Sequence, residues 1–487
     1  MSWYLCLFLH RHIDFRKAEV ESLAAAAGCA DVIEWGLPFG DNQDSPYWYV
    51  KLPSDEHARA MVSRSMLVKG IYEVWGEGET FEAMLDAASG FPDARKAPYF
   101  SPDCSFKILV ETFGTTISSK EQLGYINQLA ALPFKGKVSM KNPDHKFTLI
   151  HSCPLVGEGF HIPKRWYFAR EICMGNRHAM QNLNLSQRNY IGPTSMDPEL
   201  SLIMCNMAKV SKGSLVYDPF VGTGSILVAA SHFDALTMGA DIDIRVIRDG
   251  KQAKDGRRLN VWGNFDQYGF QAPVGLIRYD AHRPPMRAGL EEMFDAILCG
   301  PPYGVRAGGR KSGGRKAKED QRAIPDECRL THIPSTAPYG IKECLVDLIQ
   351  FAAKMLVVGG RIAFWLPCAT ETYDESEVPS HPALKLCSNS EQILTNRWSR
   401  RLIVMEKYRS FDSASPLEVA KVDITALEVA LECAAKSGET LPDSSQTLRD
   451  VVFKPAKEGG AKRRKKAGVD KGTPAKNADR VYRNKGV

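Results

Sequence analysis

The sequence predicts an α/β protein: a doubly wound, mostly parallel sheet in the C-terminal half, preceded by two smaller α+β units. Three observations predict it. From about Pro193, strand-like runs alternate with helical ones: Leu215–Tyr217, Thr237–Ala240, Leu276–Tyr279, Phe294–Cys299 and Arg361–Leu366, with a helix over Leu345–Leu356. A glycine-rich turn follows the first of these strands. The first 165 residues carry short strands and helices in a different rhythm.

Residues 1–75 open with a strand. A helix over Phe15–Ala27 follows and is ended by Gly28, then come strands Asp31–Trp35 and Tyr47–Leu52 and a second helix from Asp55. In residues 76–165, Ser105–Phe113 alternates as a half-buried strand, and Ser119–Leu132 reads as a helix capped near Ser118 or Ser119. Lys137–Ser139 and Lys146–Ile150 read as further strands, separated by a turn at Asn142–Asp144. Residues 166–192 read as a linker. The parallel sheet then spans 193–456, with Leu394–Trp398 and Arg401–Lys407 as a closing antiparallel pair and a Gly/Lys/Arg-rich insertion at 308–321. The tail 457–487 is too polar to build a core.

Bulk composition excludes several classes. Hydrophobic residues make up 44% and charged residues 25% of the 487, as in ordinary soluble domains. No run of about 18 apolar residues exists, so no membrane-spanning helix is expected. Met1–His10 has an apolar stretch without a basic leader or small-residue cleavage site, and reads as a strand rather than a signal peptide. The 12 cysteines are scattered, with no C-x-x-C pair, which fits a reducing compartment. The net charge of +6 is uneven: Lys454–Val487 holds twelve Lys/Arg against three Asp/Glu, leaving −3 for the rest. Nucleic-acid binding therefore cannot rest on global charge.

The chemistry sits at strand ends. Asp218-Pro219-Phe220-Val221-Gly222-Thr223-Gly224 closes one strand and leads into a helix near Ser225. Glycines there let a ligand approach the backbone, and the helix start offers free N–H groups. Such a turn also serves as a plain strand-to-helix connection; the acid directly before it favours a ligand. Asp241, in Gly239-Ala240-Asp241-Ile242-Asp243, lies 23 residues after Asp218 at the end of the next strand. A carboxylate there suits the two ribose hydroxyls of a nucleoside, and alone it would equally suit a helix cap. Asp280, before Ala281 and His282, ends a third strand and suits an adenine amine. His282 reads as a loop histidine; no His or Cys stands at ligand spacing, and no metal is expected. Three successive acids fit an adenosine joined to an amino acid better than a dinucleotide. Finally, Cys299-Gly300-Pro301-Pro302-Tyr303-Gly304-Val305-Arg306 follows a buried strand. Its prolines lack donors, so their carbonyls face outward as acceptors, and Tyr303 can stack on a base.

Gly300–Tyr303 resembles the Asp/Asn-Pro-Pro-Tyr signature of Rossmann-like amino-methyltransferases. The stretches Gly192-Pro193-Thr194-Ser195-Met196-Asp197 and Pro301–Arg306 are similar to the family of eukaryotic tRNA (guanine-10-N2) methyltransferase catalytic subunits. So are Ser105–Phe113 and Leu132–Val138, more loosely. The likeness covers most of residues 1–410. It implies a Rossmann-like seven-stranded methyltransferase domain behind a ferredoxin-like unit (1–75) and a THUMP-type RNA-binding unit (76–165). It implies S-adenosyl-L-methionine as cofactor, held by Asp218, Pro219, Phe220, Gly222, Gly224, Asp241, Ile242, Asp280, Ala281 and Thr194. Gly300, Pro301, Pro302 and Tyr303 would be catalytic, with RNA contacts from Lys107, Lys137, Arg306, Arg310 and Lys311. The partners it implies are tRNA and a small zinc-binding activator subunit that covers an apolar edge of the methyltransferase domain, in the cytoplasm.

One departure stands out. The signature's leading Asp or Asn is Gly300, and Asp295, inside the preceding strand, is a poor substitute. Losing one charge-assisted hydrogen bond costs about 1.5–3 kcal/mol, roughly 10- to 150-fold in rate. The chain thus reads as a weakened enzyme, an engineered variant or a catalytically silent tRNA-binding relative; an amino-methyltransferase for DNA or ribosomal RNA is the third class. The basic run after Tyr303 suits RNA phosphates or a solvated insertion equally. Lys462–Lys466 suits added tRNA affinity, a nuclear address or mere solubility.

Overall fold

The computed structural model describes residues 1–37, 45–153, 164–302, 309–313, 335–369, 373–394 and 398–412. Tyr303, Arg306, most of the basic insertion and the tail lie outside them. Among the described residues no helix is long and apolar enough to cross a membrane.

Eight strands form a first sheet: β1 (Ser2–Phe8), β2 (Glu34–Gly36), β3 (Tyr47–Leu52), β4 (Val68–Gly78), β5 (Ser105–Phe113), β6 (Lys137–Val138), β7 (His145–Ser152) and β8 (Arg165–Met174). Their order is β2-β3-β1-β4-β8-β7-β5-β6, so the two expected N-terminal units share one sheet. The expected 75/76 boundary falls inside β4, and the expected linker 166–192 contains most of β8, which pairs along β4. Neither strand shows a clean alternation, because both carry buried charge. Glu73 of β4 accepts from Arg170 Nε of β8 at 2.8 Å, and Arg170 Nη2 donates to Asp55 at 2.9 Å. Glycine also interrupts β4. At Gly76 a Cβ would lie 2.2 Å from the Met84 carbonyl, so only glycine lets the helix Phe81–Ser89 pack this closely. Ser118 caps the helix Ser119–Gln128 in a reciprocal box with Glu121. Packed aromatics, Trp75, Phe100, Phe134, Phe147 and Phe168 among them, fill the space beneath these strands.

A two-stranded pair, β11 (Lys251–Gln252) and β12 (Arg258–Leu259), and another, β15 (Arg310–Ser312) and β16 (Thr336–Pro338), flank the second sheet. That sheet comprises β9 (Leu215–Asp218), β10 (Leu236–Asp241), β13 (Gly275–Arg278), β14 (Phe294–Cys299), β17 (Leu356–Ala369), β18 (Leu384–Ile393) and β19 (Trp398–Lys407). It has the expected seven strands, in the order β13-β10-β9-β14-β17-β19-β18, the first five parallel and β19 antiparallel to both its neighbours. The closing pair differs from expectation: β18 ends before Leu394 instead of beginning there. As an edge strand, with polar Lys385, Ser388, Asn389 and Glu391, β18 has no apolar run to betray it. The basic insertion differs too, since Arg310–Ser312 is paired with β16 rather than loose.

The sheets meet through helices Arg16–Ala26 and Pro198–Met207. Glu19 is fully buried there. It accepts from Ser65 Oγ at 2.7 Å, Met66 N at 2.9 Å, Leu67 N at 3.1 Å and Asn206 Nδ2 at 2.8 Å. Arg361 Nη1 donates to Ser22 Oγ at 3.1 Å and the Met207 carbonyl at 2.8 Å. A buried carboxylate is tolerable only when so fully hydrogen-bonded, so this junction has one favoured geometry.

Candidate active site

Strand register brings the predicted acids to one edge. Gly239 pairs with Asp218 and Asp241 with Arg278, while Ile297 pairs with Tyr217, so β9, β10, β13 and β14 end together. The sheet order reverses between β9 and β14, which opens a crevice above their carboxyl ends.

Asp218 is 1% exposed, and its carboxylate accepts from Phe220 N–H at 2.9 Å. Burial pushes its carboxyl up to about 8, and the Asp241 charge adds to the effect. Pro219 and Phe220 lead into a turn in which Gly222 and Gly224 have φ of +49° and +78°, left-handed values that favour glycine. Asp241 is half-buried; its two oxygens accept from Gly222 N–H at 3.0 Å and Asp243 N–H at 2.9 Å. Burial raises its carboxyl, and these hydrogen bonds partly offset that. Ile242 and Ala281, both half-buried, lie beside the two outer acids. Asp280 accepts from His282 N at 3.1 Å and from Ser312 N at 2.8 Å, so β15 is fastened at this edge.

Gly300 is partly exposed at the end of β14, Pro301 is buried and Pro302 partly exposed. Asp295 lies at the opposite end of β14, where its carboxylate accepts from Leu215 N–H at 2.7 Å. It is therefore far along the strand from the turn.

Thr194 sits in an exposed turn across the glycine-rich loop. Sequence reading did not find what holds this turn. Ser195 Oγ lies 2.6 Å from Thr223 Oγ1 and accepts from Gly192 N–H at 2.9 Å. Asn264, fully buried, accepts from Tyr190 N at 3.0 Å and donates to the carbonyls of Tyr190 at 2.9 Å and Thr223 at 3.2 Å. A lone Asn within a helix carries no sequence signal for such a bridge. Of the predicted RNA contacts, Arg310 is exposed on β15, whereas Lys311 is ion-paired with Glu343. Lys107 and Lys137 lie on the neighbouring strands β5 and β6 of the first sheet, not on the second. His282 is not a plain loop histidine: its Nδ1 is 2.8 Å from Asp347 and 3.4 Å from Glu343. Tyr339 also donates to Asp347, at 2.7 Å.

Residues 2–177 match the family model of the Tmrp11 THUMP N-terminal domain, and residues 186–317 match that of an RMKL-like methyltransferase domain. The tRNA (guanine(10)-N(2))-methyltransferase TRMT11 of Bos taurus is 37% identical over 423 residues, covering 85% of this chain and 90% of that protein. The Homo sapiens protein of the same name is 36% identical over 428 residues, covering 85% and 90%. The chain belongs to the TRMT11 family. The Dictyostelium discoideum member is 36% identical over 436 residues, covering 85% of this chain and 84% of its own length. The matched methyltransferase segment contains the glycine-rich turn, all three strand-end acids and the Gly300–Tyr303 stretch, so the crevice belongs to the methyltransferase part of this TRMT11-family chain.

Proposed function

We propose that this chain is the catalytic subunit of a tRNA methyltransferase that transfers a methyl group from S-adenosylmethionine to the exocyclic N2 amine of guanosine 10. The observation that carries this reading is family membership over 85% of the chain, joined to three acids converging on one crevice.

The residues fit the cofactor. Asp241 is oriented by two N–H donors yet stays half-exposed, leaving lone pairs for two ribose hydroxyls. Asp280 keeps acceptor capacity for the adenine amine, and no side chain at Gly222 obstructs approach to the turn. The Thr194 turn covers the amino-acid end, and Asp218, buried at the strand end, holds the Phe220 N–H that shapes the glycine-rich turn. Bound there, S-adenosylmethionine supplies an electrophilic methyl on a sulfonium. The Pro301 carbonyl accepts one N2–H of guanine, which directs the nitrogen lone pair at the crevice. As the N–C bond forms, the methyl–sulfur bond would break with its electron pair left on sulfur, giving adenosylhomocysteine, and the N2 proton is released to water. Tyr303 stacks on the base in this reading.

We assign tRNA backbone contacts to Lys107, Lys137, Arg306 and Arg310. The small zinc-binding activator is proposed as partner and the cytoplasm as workplace. β13 ends the sheet on one side, and Val274 beside it is 63% exposed, which supports a covering subunit.

The test is a methylation assay with labelled donor and two unmodified tRNA transcripts, one with guanosine and one with adenosine at position 10. Label is expected only in the first, as N2-methylguanosine. No such product from either the wild-type chain or Gly300→Asp, with the activator present, overturns the reading. Gly300 itself favours a second reading, a silent tRNA-binding relative; turnover by the wild type close to that of Gly300→Asp excludes it.

A further inference from the structure

At the junction between the first sheet and the catalytic domain two arginines share one buried carboxylate. Glu199, in the first turn of the helix Pro198–Met207, is 4% exposed. Two guanidiniums converge on it: Arg11, from the loop after β1, and Arg177, from the segment after β8, at 3.6 Å. His12 Nε2 lies 3.6 Å from the same carboxylate. Arg11 and Arg177 also both touch the Met180 sulfur, at 3.5 and 3.4 Å, which fixes their stems. Among the described residues, Glu199 is the one carboxylate that the ion pairs of Arg11 and Arg177 share. Arg11 and Arg177 stay 38% and 32% exposed, and Arg11 Nε is buried with no hydrogen-bond partner.

This cluster adjoins the catalytic turn. Met196, three residues before Glu199, is 3.5 Å from where a Cβ on Gly300 would stand, and Trp365 is 4.0 Å from the same point. Phe15 packs on Trp365 at 6.0 Å and on His12 at 5.9 Å. Arg400 lies over the Trp365 ring at 4.1 Å, adding a cation to this rim. His12 holds φ +46° and ψ +48°, a left-handed conformation uncommon for a non-glycine residue. Strain of that kind persists where the surrounding structure dictates a loop's shape, and here the loop presents Arg11.

We propose that Arg11 and Arg177, ordered on the buried Glu199, grip the phosphate backbone of the RNA strand that delivers the target guanosine to the crevice. This rests on the tRNA-methyltransferase reading. Planar guanidinium forks suit phosphate oxygens, and such contacts set register without reading sequence. Their place is apt: they join both halves of the protein within a few residues of the turn, so one strand held there enters the crevice in a fixed frame.

The experiment measures binding of an unmodified tRNA transcript to the full chain, with the proposed activator present, from 50 to 200 mM salt. It compares the wild type with Arg11→Gln, Arg177→Gln, the double variant, the double lysine variant and, as a charge control, Lys17→Gln. Each glutamine is expected to lower the slope of log affinity against log salt by about one. The double variant should bind about 10-fold or more weakly. The double lysine variant should recover the slope, and Lys17→Gln should leave it unchanged. Adenosylhomocysteine affinity, measured on every variant by calorimetry, should stay within about twofold and so reports intact folding of the crevice. A double glutamine variant with wild-type slope and intact adenosylhomocysteine binding overturns the proposal while leaving the activity reading standing. A wild type that binds no tRNA overturns the activity reading itself, and the clamp with it.

Discussion

Restoring a carboxylate at Gly300 is the perturbation whose consequence can be worked furthest. Gly300 does not have the positive φ that marks Gly222 and Gly224, so a side chain there meets no backbone strain. Among the described residues a Cβ would meet Met196 Cε at 3.5 Å and Trp365 Cδ1 at 4.0 Å, both ordinary contacts. The position is partly exposed, so the new charge keeps some solvent. Loss of glycine's freedom in the unfolded chain stabilises by about 0.4–1 kcal/mol, and partial desolvation of the carboxylate opposes it. Stability should therefore change by less than about 1 kcal/mol. Catalysis should change far more. A carboxylate accepting the guanine N2–H strengthens as the nitrogen becomes cationic, which is worth about 1.5–3 kcal/mol in the transition state, or roughly 10- to 150-fold. The gain should fall in kcat, with cofactor affinity unchanged, because the carboxylate meets the base rather than the cofactor. Single-turnover methylation of one tRNA transcript by both proteins reads this directly. If Gly300→Asp binds adenosylhomocysteine as tightly as the wild type, melts at the same temperature and methylates no faster, the reasoning fails.

Other outcomes follow from the same geometry. Asp218 has its folded-state pKa raised to about 8, well above its unfolded value, so its effect on stability is most favourable below about pH 4 and is lost as pH rises to about 8. Over that window the loss approaches ~6 kcal/mol as an upper bound, and denaturant unfolding of the cofactor-free protein should show a shallower decline with pH for Asp218→Asn; identical pH profiles would refute it. Asp241→Ala removes the acceptor assigned to the ribose and the partner of Gly222 N–H; calorimetry should show adenosylhomocysteine affinity falling by at least about 10-fold. Asn206→Ala deletes a donor to the buried Glu19 and should destabilise the chain by about 1–3 kcal/mol in denaturant melts.

Legibility varied with the physics of each element. The parallel strands β9, β10 and β14 are covered on both faces, so they read as apolar runs that stop at Asp218, Asp241 and the Cys299–Gly300 turn, and these were visible in the sequence. β4 and β8 were not, because Glu73 and Arg170 neutralise one another across the strands and a charge in a strand is legible only with its partner beside it. β18 was misplaced because an edge strand need not be apolar. The three acids were nameable one by one, but that Asp218 is sealed while Asp241 stays half-open depends on packing around each.

By itself, the chain's linear order determined the alternation of strands and helices, the acids that close them and the missing carboxylate at Gly300, since each is a local property of neighbouring residues. Only the tertiary structure decided that two N-terminal units fuse into one sheet, that Asn264 and Ser195 pin the Thr194 turn to the glycine-rich loop, and that Arg11, Arg177 and Glu199 meet. Those contacts join residues tens to hundreds of positions apart, and their energy comes from burying complementary groups together, which no local pattern encodes.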